Sequence, residues 1–177
     1  MEDRRSAVFG TLQSLGIRYD LYEHPPVFTA EEAAAHWKDI AGASVKNLFL
    51  RNKKGDRHYL VILGIEKQAD LRHLVKVIGD DRLSFGSPER LLKYLGVTPG
   101  SVSPFGLIND ATHAVRVIVD SDLKTAERLI FHPNDNTASL TITGADFATF
   151  LEQQGNAVRW VRLPGDARVA GLPCRER

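Results

Sequence analysis

The sequence contains a single cysteine, Cys174, among its 177 residues. One cysteine cannot form an internal disulfide and cannot supply a cysteine-based zinc site. The sequence also lacks any apolar run near the roughly 20 residues that a membrane-spanning helix needs. Its N-terminal residues show no apolar core of the kind found in signal peptides, so we expect a cytoplasmic protein.

A large excess of positive charge is also missing. The protein has 23 Lys and Arg residues against 22 Asp and Glu residues, which leaves a formal net charge of +1. A protein that coats DNA through many phosphate contacts is normally far more basic. Any contact with nucleic acid must therefore use a local basic patch or a shaped pocket.

The overall composition is typical of a globular domain, with 43% hydrophobic and 25% charged residues. A protein of this length can bury a core without help from a disulfide or a metal. No internal repeat and no linker is evident. We therefore expect one domain over residues 1–163, followed by a polar, arginine-rich tail over residues 164–177.

Predicted helices and strands are interleaved along the sequence. The clearest element is a hairpin, with strands over Val45–Arg51 and His58–Leu63 joined by a turn over residues 52–56. The pair Ser87-Pro88 indicates the start of a helix, which Gly96 ends. Because the order is not a regular βαβ alternation, we expect an α/β (or α+β) domain whose mixed, largely antiparallel sheet is surrounded by helices.

The common catalytic motifs are absent. The sequence contains no GxSxG, no HExxH, no Walker loop and no GxGxxG. Cys174, in the predicted tail, is a poor candidate for a nucleophile. Candidate site residues must therefore be sought among weaker signals.

Lys46 is the first candidate because it lies within an apolar strand. It shares a strand face with Leu48, while Val45 and Phe49 make the other face apolar. Such a lysine either extends its ammonium group to the solvent at the edge of the sheet or points into a cleft. The strand sequence alone favours the position at the edge. Asn47 is a poor strand former, which is tolerated more easily if its amide has a partner.

The segment over residues 100–106 and two histidines are further candidates. The glycines and prolines of the segment could turn several backbone N–H groups toward an oxyanion, although an ordinary surface turn is the commoner use of such residues. His132 and His24 each precede a proline. Either could orient a substrate or a water, and a structural role is the commoner one for such residues.

Arg51, Lys53 and Lys54 form a basic cluster at the hairpin turn. Charged turn residues are usually solvated, and a phosphate contact is the functional alternative. We call this group the hairpin basic cluster.

Five short motifs occur in one order along the sequence: Leu15-Gly16-Ile17, Glu23–Ala33, Lys46–Leu50, Gly100–Leu107 and Phe131–Asn136. With these motifs the protein resembles the YbaK/ProX family of aminoacyl-tRNA deacylases, which is related to the editing domain inserted in bacterial prolyl-tRNA synthetase. The His-Pro-Pro-Val-Phe segment is most similar to the freestanding branch that removes alanine from proline tRNA. The resemblance runs from about Leu15 to Leu163, which is nearly the whole predicted domain.

The resemblance implies the editing-domain fold and hydrolysis of the ester that joins a wrong amino acid to tRNA. By position, Lys46 matches the functional lysine of the family, and residues 100–104 match its Gly-x-x-x-Pro loop. Asn47 and His132 match residues of the alanine-editing branch. The catalytic set implied in this way is Lys46, Asn47, Gly100, Ser101, Pro104 and His132, with no cofactor and no metal.

The chemistry is compatible with these residues. An aminoacyl ester is already activated, so a positioned water, assisted by the terminal ribose hydroxyl, is a sufficient nucleophile. Backbone N–H groups of residues 100–106 would stabilise the oxyanion. Lys46 would hold the terminal phosphate or ribose as a compact positive charge, while Asn47 and His132 would fix the aminoacyl group or the water.

Selection of alanine over proline needs steric exclusion of the proline ring, because one or two methylene groups change the free energy by only about 1–3 kcal/mol. We expect Val27, Phe28, Val45 and Ile62 to form the wall of the pocket, and plain core packing is an equally good explanation of these four residues. The other expected substrate contacts are His24, Phe105, Gly106, Arg51 and Lys53, with the hairpin basic cluster facing the acceptor stem.

Three alternatives stay open. They are a related deacylase for cysteine or serine on tRNA, a non-catalytic nucleic-acid-binding module with salt-sensitive binding, and a protein-interaction subunit that kept the fold and lost the activity. The expected partner is the acceptor end of tRNA(Pro). Prolyl-tRNA synthetase or an elongation factor would be a transient partner, and no membrane is involved.

Overall fold

The structure is a computed structural model that describes residues 4–27 and 30–163. Phe28, Cys174 and the predicted tail over residues 164–177 lie outside these ranges. Within the ranges, no helix has the length and apolar character that crossing a membrane requires.

Helices and strands alternate irregularly along the described residues. The α-helices are α1 (Arg4–Ser14), α2 (Ala30–Trp37), α3 (Leu71–Ile78), α4 (Pro88–Leu95) and α5 (Gly144–Gln154). The strands are β1 (Asp20–Glu23), β2 (Ala43–Arg51), β3 (His58–Gly64), β4 (Ser84–Phe85), β5 (Val115–Asp120), β6 (Leu129–Phe131), β7 (Ala138–Ile142) and β8 (Val158–Val161). Two 3₁₀ helices cover Pro104–Asn109 and Ser121–Thr125.

The eight strands form one mixed sheet with the order β1-β7-β6-β2-β3-β5-β8, and β4 pairs with β2 beside this path. The pairs β1–β7, β6–β7, β2–β3 and β2–β4 are antiparallel. The pairs β2–β6, β3–β5 and β5–β8 are parallel. The predicted mixed, largely antiparallel sheet with surrounding helices is therefore confirmed.

The predicted ends of the hairpin strands and of the helix after Ser87 agree with β2, β3 and α4 to within two residues. The alternation of apolar and polar residues over 17–23 predicts a further strand that starts at Ile17, whereas β1 begins at Asp20. Ile17 instead donates its backbone N–H to the carbonyl of Leu12 at 2.9 Å, so it belongs to the end of α1. The 3₁₀ helix at Pro104 is not predicted either, and the hydroxyl of Ser103 caps it by accepting the N–H of Phe105.

Apolar clusters cover both faces of β2, as its sequence predicts. Val45 and Phe49 belong to the main core, which α1, α4 and α5 complete on one face. Leu50 packs on the other face in a second cluster with residues of α3. A third, small cluster joins Trp37 of α2 to Ile130 of β6.

Asn52 organises the turn between β2 and β3. Its Oδ1 atom accepts hydrogen bonds from the N–H groups of Gly55, Asp56 and Arg57 at 2.9, 3.2 and 3.2 Å. Its Nδ2 donates to the Asp56 carboxylate at 2.7 Å, and the residue is fully buried. The turn therefore fixes the register of the hairpin through one amide.

We predict that Asn52→Ala lowers the free energy of unfolding by about 1–2 kcal/mol, because three N–H groups lose their shared acceptor. Urea denaturation measures the change. Lys54→Ala in the same turn is the matched control, and we expect it to alter the free energy by less than about 0.5 kcal/mol. Equal effects of the two variants would contradict the role given to Asn52.

Candidate active site

Strand β2 is paired unevenly on its two edges. On one edge β3 pairs with residues 45–51. On the other edge β6 pairs only with residues 43–44, and β4 only with residues 50–51. Among the described residues, no strand pairs with the centre of β2 on this edge, and we call this unpaired edge over residues 45–48, between β6 and β4, the β2 gap.

Asn47 turns its backbone toward the β2 gap. The carbonyl of Ser44 accepts the N–H of Ile65 beside β3, so the even-numbered residues of β2 direct their backbone groups to β3. The carbonyl of Phe49 accepts the N–H of Gly86 beside β4, so the odd-numbered residues point the other way. Among the described residues, no strand pairs with Asn47 on that side. Its N–H and C=O groups are therefore available in the gap.

Lys46 projects from the face of β2 opposite to the side chain of Asn47. Its Nζ donates to the carbonyl of Ile65 at 3.3 Å. Partial burial lowers the pKa of the Lys46 amine, and the negative charge of Glu66 opposes this shift. The lysine is thus partly desolvated at the side of the gap, which distinguishes it from a fully solvated lysine at a strand end.

Asn47 fastens the Gly-x-x-x-Pro loop to β2. Its Nδ2 donates to the carbonyl of Val102 at 3.2 Å, which supplies the amide partner that a strand asparagine needs. Its Oδ1 is buried and has no partner among the described residues. A buried acceptor without a partner is costly, so it is a position where a donor from a substrate would be favourable.

Several backbone N–H groups of the loop already form hydrogen bonds within the loop or with the residues just before it. Gly100 has a φ of +87°, a left-handed conformation that glycine adopts without strain. The N–H of Ser101 donates to Thr98, while those of Phe105 and Gly106 donate to Ser103. Pro104 has no N–H and opens the 3₁₀ helix. Of residues 100–106, only residues 100, 102 and 103 have backbone N–H groups with no acceptor in the described ranges, so these groups could bind an oxyanion.

His132 lies immediately after β6 with its ring largely buried. Its Nδ1 is 2.8 Å from the carbonyl of Ala138, which can only accept, so Nδ1 carries the proton. Burial lowers the pKa of His132, and the hydrogen bond to Ala138 opposes the shift. In the neutral ring, Nε2 is therefore a free hydrogen-bond acceptor.

Lys46 and His132 lie toward the same face of the sheet. Ser44 is paired with Ile130, and the period of two places Lys46 on the face of Ser44 and His132 on the face of Ile130. Ile65, whose carbonyl binds Lys46, packs against the small cluster that contains Ile130 and Trp37. The Trp37 ring centroid is 5.6 Å from that of His132. Lys46 and His132 therefore lie on one face of the sheet, each next to this small cluster.

The residues predicted for the pocket wall are distributed over two clusters. Val27 belongs to the small cluster with Trp37, beside His132. Val45 and Ile62 are buried in the main core, at 4% and 0% exposure, which fits core packing as readily as a pocket wall. Their part in the pocket, like that of Phe28 outside the described ranges, stays a prediction.

Phe105 and Gly106 lie beneath the loop. Phe105 is fully buried, with its ring centroid 5.0 Å from that of Phe150. A Cβ atom on Gly106 would lie 2.9 Å from the Cβ of Leu95, so this position allows close packing of the loop on α4. Both residues support the loop from inside the protein, and a direct contact with substrate stays a prediction.

The hairpin basic cluster lies at the other end of β2 from Lys46. Arg51 lies five positions after Lys46, which corresponds to about 17 Å along a strand. The Arg51 guanidinium donates to the carbonyls of Asn52 and Lys53 at 3.1 and 3.2 Å, so it also supports the turn. The cluster and the gap are therefore separate parts of the surface.

Two residues next to His132 are not indicated by the sequence. The indole Nε1 of Trp37 donates to the hydroxyl of Ser139 at 2.8 Å, and the same hydroxyl lies 2.9 Å from Nε2 of His24. In the sequence, Ser139 is an ordinary strand residue and Trp37 is the apolar end of a predicted helix. A tryptophan and a serine separated by 102 positions reveal their contact only in the folded protein.

Comparisons with known proteins show the family to which this chain belongs. Residues 24–150 match the family model described as the aminoacyl-tRNA editing domain. The prolyl-tRNA editing protein ProX of Acetoanaerobium sticklandii is 41% identical over 161 residues, which cover 91% of this chain and 98% of that protein. Prolyl-tRNA synthetase associated domain-containing protein 1 of Bos taurus is 35% identical over 156 residues, which cover 86% of this chain and 91% of that protein.

A solved structure reported as a candidate trans-editing enzyme for prolyl tRNA synthetase has the same fold. It superimposes with a TM-score of 0.69 at 23% identity, and the match covers 93% of this chain and 99% of that one. The similarity in sequence and the similarity in fold therefore extend over nearly the same residues.

We predict that Glu66→Gln lowers the pKa of Lys46 further, because the carboxylate that favours the charged amine is removed. An NMR titration of the lysine Cε and Nζ nuclei measures the shift. Glu152→Gln on α5 removes an exposed carboxylate elsewhere and should leave the Lys46 titration unchanged. An unchanged titration in Glu66→Gln would show that Glu66 does not act on the lysine.

Proposed function

Because the chain belongs to the aminoacyl-tRNA editing domain family, whose YbaK/ProX members are deacylases, we propose that its substrate is tRNA(Pro) mischarged with alanine. The protein is an aminoacyl-tRNA deacylase that acts in trans on mischarged tRNA. The observation that carries the finer proposal is the β2 gap, with Lys46 and His132 on one face and Asn47 with its loop on the other. The gap brings backbone donors and acceptors near an ammonium group and a neutral imidazole, which are groups that can bind the polar atoms of an aminoacyl ester.

The hydrolytic step needs only a water held against the ester carbonyl. Nε2 of His132 accepts a hydrogen bond from that water. The water oxygen bonds to the carbonyl carbon, the bond to the ribose oxygen breaks, and the proton of the water passes to the ribose oxygen. The free N–H groups of residues 102 and 103 stabilise the oxyanion in between.

Lys46 and Asn47 hold the substrate rather than react with it. The Lys46 ammonium meets the terminal phosphate or the ribose as a compact positive charge. The backbone carbonyl of Asn47 in the gap accepts a hydrogen bond from the α-amino group, and its buried Oδ1 accepts a second donor. Arg51, Lys53 and Lys54 contact the acceptor stem, about 17 Å away along β2.

We predict that the protein releases alanine from Ala-tRNA(Pro) in preference to proline from Pro-tRNA(Pro), and that Lys46→Ala slows this release roughly 10- to 100-fold, as expected for a lost charged hydrogen bond of about 1.5–3 kcal/mol. Single-turnover hydrolysis of the two substrates, with Cys-tRNA(Pro) and Ser-tRNA(Pro) alongside, measures the rates.

Lys38→Ala, which changes an exposed lysine just after α2, is the matched control and should retain the wild-type rate. Selective release of cysteine or serine would replace alanine as the proposed amino acid and keep the reaction. No release from any of the four substrates, with DNA binding that weakens steeply in salt, would favour a binding module instead.

We also predict that Val27→Ala raises hydrolysis of Pro-tRNA(Pro) roughly tenfold relative to Ala-tRNA(Pro), because the smaller side chain relieves the clash with the proline ring. The ratio of the two rates is measured under single turnover. Val117→Ala removes the same methyl groups from the main core and serves as the control for lost stability. An equal ratio in both variants would exclude Val27 from the pocket wall.

A further inference from the structure

The turn that follows β3 carries two groups that act on the Lys46 amine. The carbonyl of Ile65 accepts a hydrogen bond from Nζ of Lys46 at 3.3 Å. Burial lowers the pKa of that amine, and the negative charge of Glu66 opposes the shift. The N–H of Lys67 donates to the carbonyl of Gly64 at 3.1 Å, which closes the turn. We call these four consecutive residues the β3 turn, and the position of the Lys46 ammonium depends on how firmly the turn is held.

Lys67 anchors the β3 turn in the interior of the protein. Its Nζ lies 2.5 Å from Oδ2 of Asp120 and donates to Oδ2 of Asp122 at 2.7 Å. It also donates to the carbonyl of Leu163 at 3.0 Å. An ammonium group has three N–H donors, so each donor of this lysine has one acceptor. The anchor therefore ties the turn to the end of β5, to the 3₁₀ helix that follows it and to the segment after β8.

The charge of Lys67 serves this anchor and is not available to a substrate. Lys67 is 8% exposed and Asp120 is fully buried, so each needs the other as a partner. Burial opposes the charge of Lys67, and the hydrogen bonds to Asp120 and Asp122 outweigh that effect and raise the pKa of the lysine. Lys46 differs because its ammonium group has a backbone carbonyl as its hydrogen-bond partner and no carboxylate in contact within the described ranges.

Gly64 leaves the space in which the Glu66 side chain lies. A Cβ atom on Gly64 would lie 2.8 Å from Cδ of Glu66, which is closer than real Cβ contacts. The φ angle of Gly64 is not positive, so an alanine there would meet no backbone strain. The glycine is therefore needed for the close approach of a carboxylate, and a methyl group at this position would displace that carboxylate from Lys46.

The β3 turn spans the distance between Lys46 and Asp120. Lys46 is paired with Leu63 of β3, and Asp120 lies beside Leu63 in the register of β5 with β3. Residues in register share a face of the sheet, and two strand spacings separate the two backbones by about 10 Å. Ile65 binds the lysine at one end of this distance, and Lys67 binds the carboxylate at the other.

We propose that Lys67 and Gly64 are positioning residues that hold the Ile65 carbonyl and the Glu66 carboxylate beside Lys46, and thereby hold the Lys46 ammonium where the substrate binds. No step of the reaction passes through either residue. The link to activity rests on the proposed function, in which Lys46 meets the terminal phosphate or the ribose. The contacts of the β3 turn themselves are present without substrate.

Gly64→Ala tests the proposal without leaving a buried charge unpaired. We expect single-turnover hydrolysis of Ala-tRNA(Pro) to slow roughly three- to tenfold, mainly through a higher enzyme concentration at half the maximal rate, because Lys46 holds the substrate. In a Lys46→Ala background, the same substitution should change the rate by less than about twofold. A positioning residue has no effect once the group that it positions is missing.

Lys67→Met removes the anchor itself. It should slow hydrolysis in the same way and should also lose its effect in a Lys46→Ala background. Because this variant leaves Asp120 buried without a cation, urea denaturation is measured alongside to confirm that it folds. Lys67→Arg keeps a charged donor for the carboxylates and should restore much of the rate lost in Lys67→Met.

Two variants serve as controls for merely structural effects. Gly10→Ala adds a methyl group to α1 where a Cβ atom meets open space, and it should keep the wild-type rate. Val117→Ala removes methyl groups from the main core, on the face of β5 opposite to Asp120. Any loss of rate in Val117→Ala should be the same with and without Lys46.

An NMR titration of the Lys46 amine examines the β3 turn without substrate. We expect Gly64→Ala to lower the pKa of Lys46 as Glu66→Gln does, and Glu66→Gln to add less in Gly64→Ala than in wild type. Equal losses of rate with and without Lys46, or a Lys46 titration that Gly64→Ala leaves unchanged, would overturn the proposal. Absence of deacylation by wild type would remove only the proposed function, because the titration would still decide whether the turn acts on Lys46.

Discussion

Strand β2 is paired along one edge and lacks a partner strand at the middle of the other, and the candidate active site is built on that unpaired stretch. A strand inside a sheet normally satisfies its backbone groups on both edges. β2 is paired with β3 over residues 45–51, while β6 and β4 are too short to reach its centre on the other edge. The strand is therefore fixed at both ends and open between them. Such a strand offers backbone donors and acceptors from a rigid support, which a surface loop could not do with the same accuracy.

Lys46 and Asn47 are neighbours on β2 at the gap, and they have different contacts. Successive side chains point to opposite faces, so Lys46 and Asn47 cannot meet on one side of the sheet. Lys46 joins His132 and the small Trp37 cluster, whereas Asn47 secures the loop at Val102. In the proposed reaction, the ester lies between these faces, so residues of both faces contribute to the site.

Local structure could be predicted from the sequence, and the site geometry could not. The Asn52 turn, the Ser87 cap and the left-handed Gly96 all depend on residues a few positions apart, so their patterns are visible in the sequence. The apolar residues of β2 correctly indicate that both faces are covered. These residues do not indicate which strands lie beside β2, because a buried strand has the same apolar pattern whichever strands pair with it. The gap, the bond between Asn47 and Val102 and the contact of Trp37 with Ser139 all join segments distant in sequence.

The near-neutral net charge of the protein is compatible with this arrangement of the site. A net charge of +1 gives little long-range attraction for tRNA, and the hairpin basic cluster can meet only a few phosphates. In the proposed function, most of the binding energy then comes from contacts near the ester, which are made by backbone groups and a neutral imidazole. Contacts of that kind can strengthen as charge develops on the carbonyl oxygen, whereas phosphate contacts bind the ground state and the transition state equally. In the proposed function, a weakly charged protein therefore depends more on contacts at the ester, which can favour the transition state, than on phosphate contacts along the tRNA.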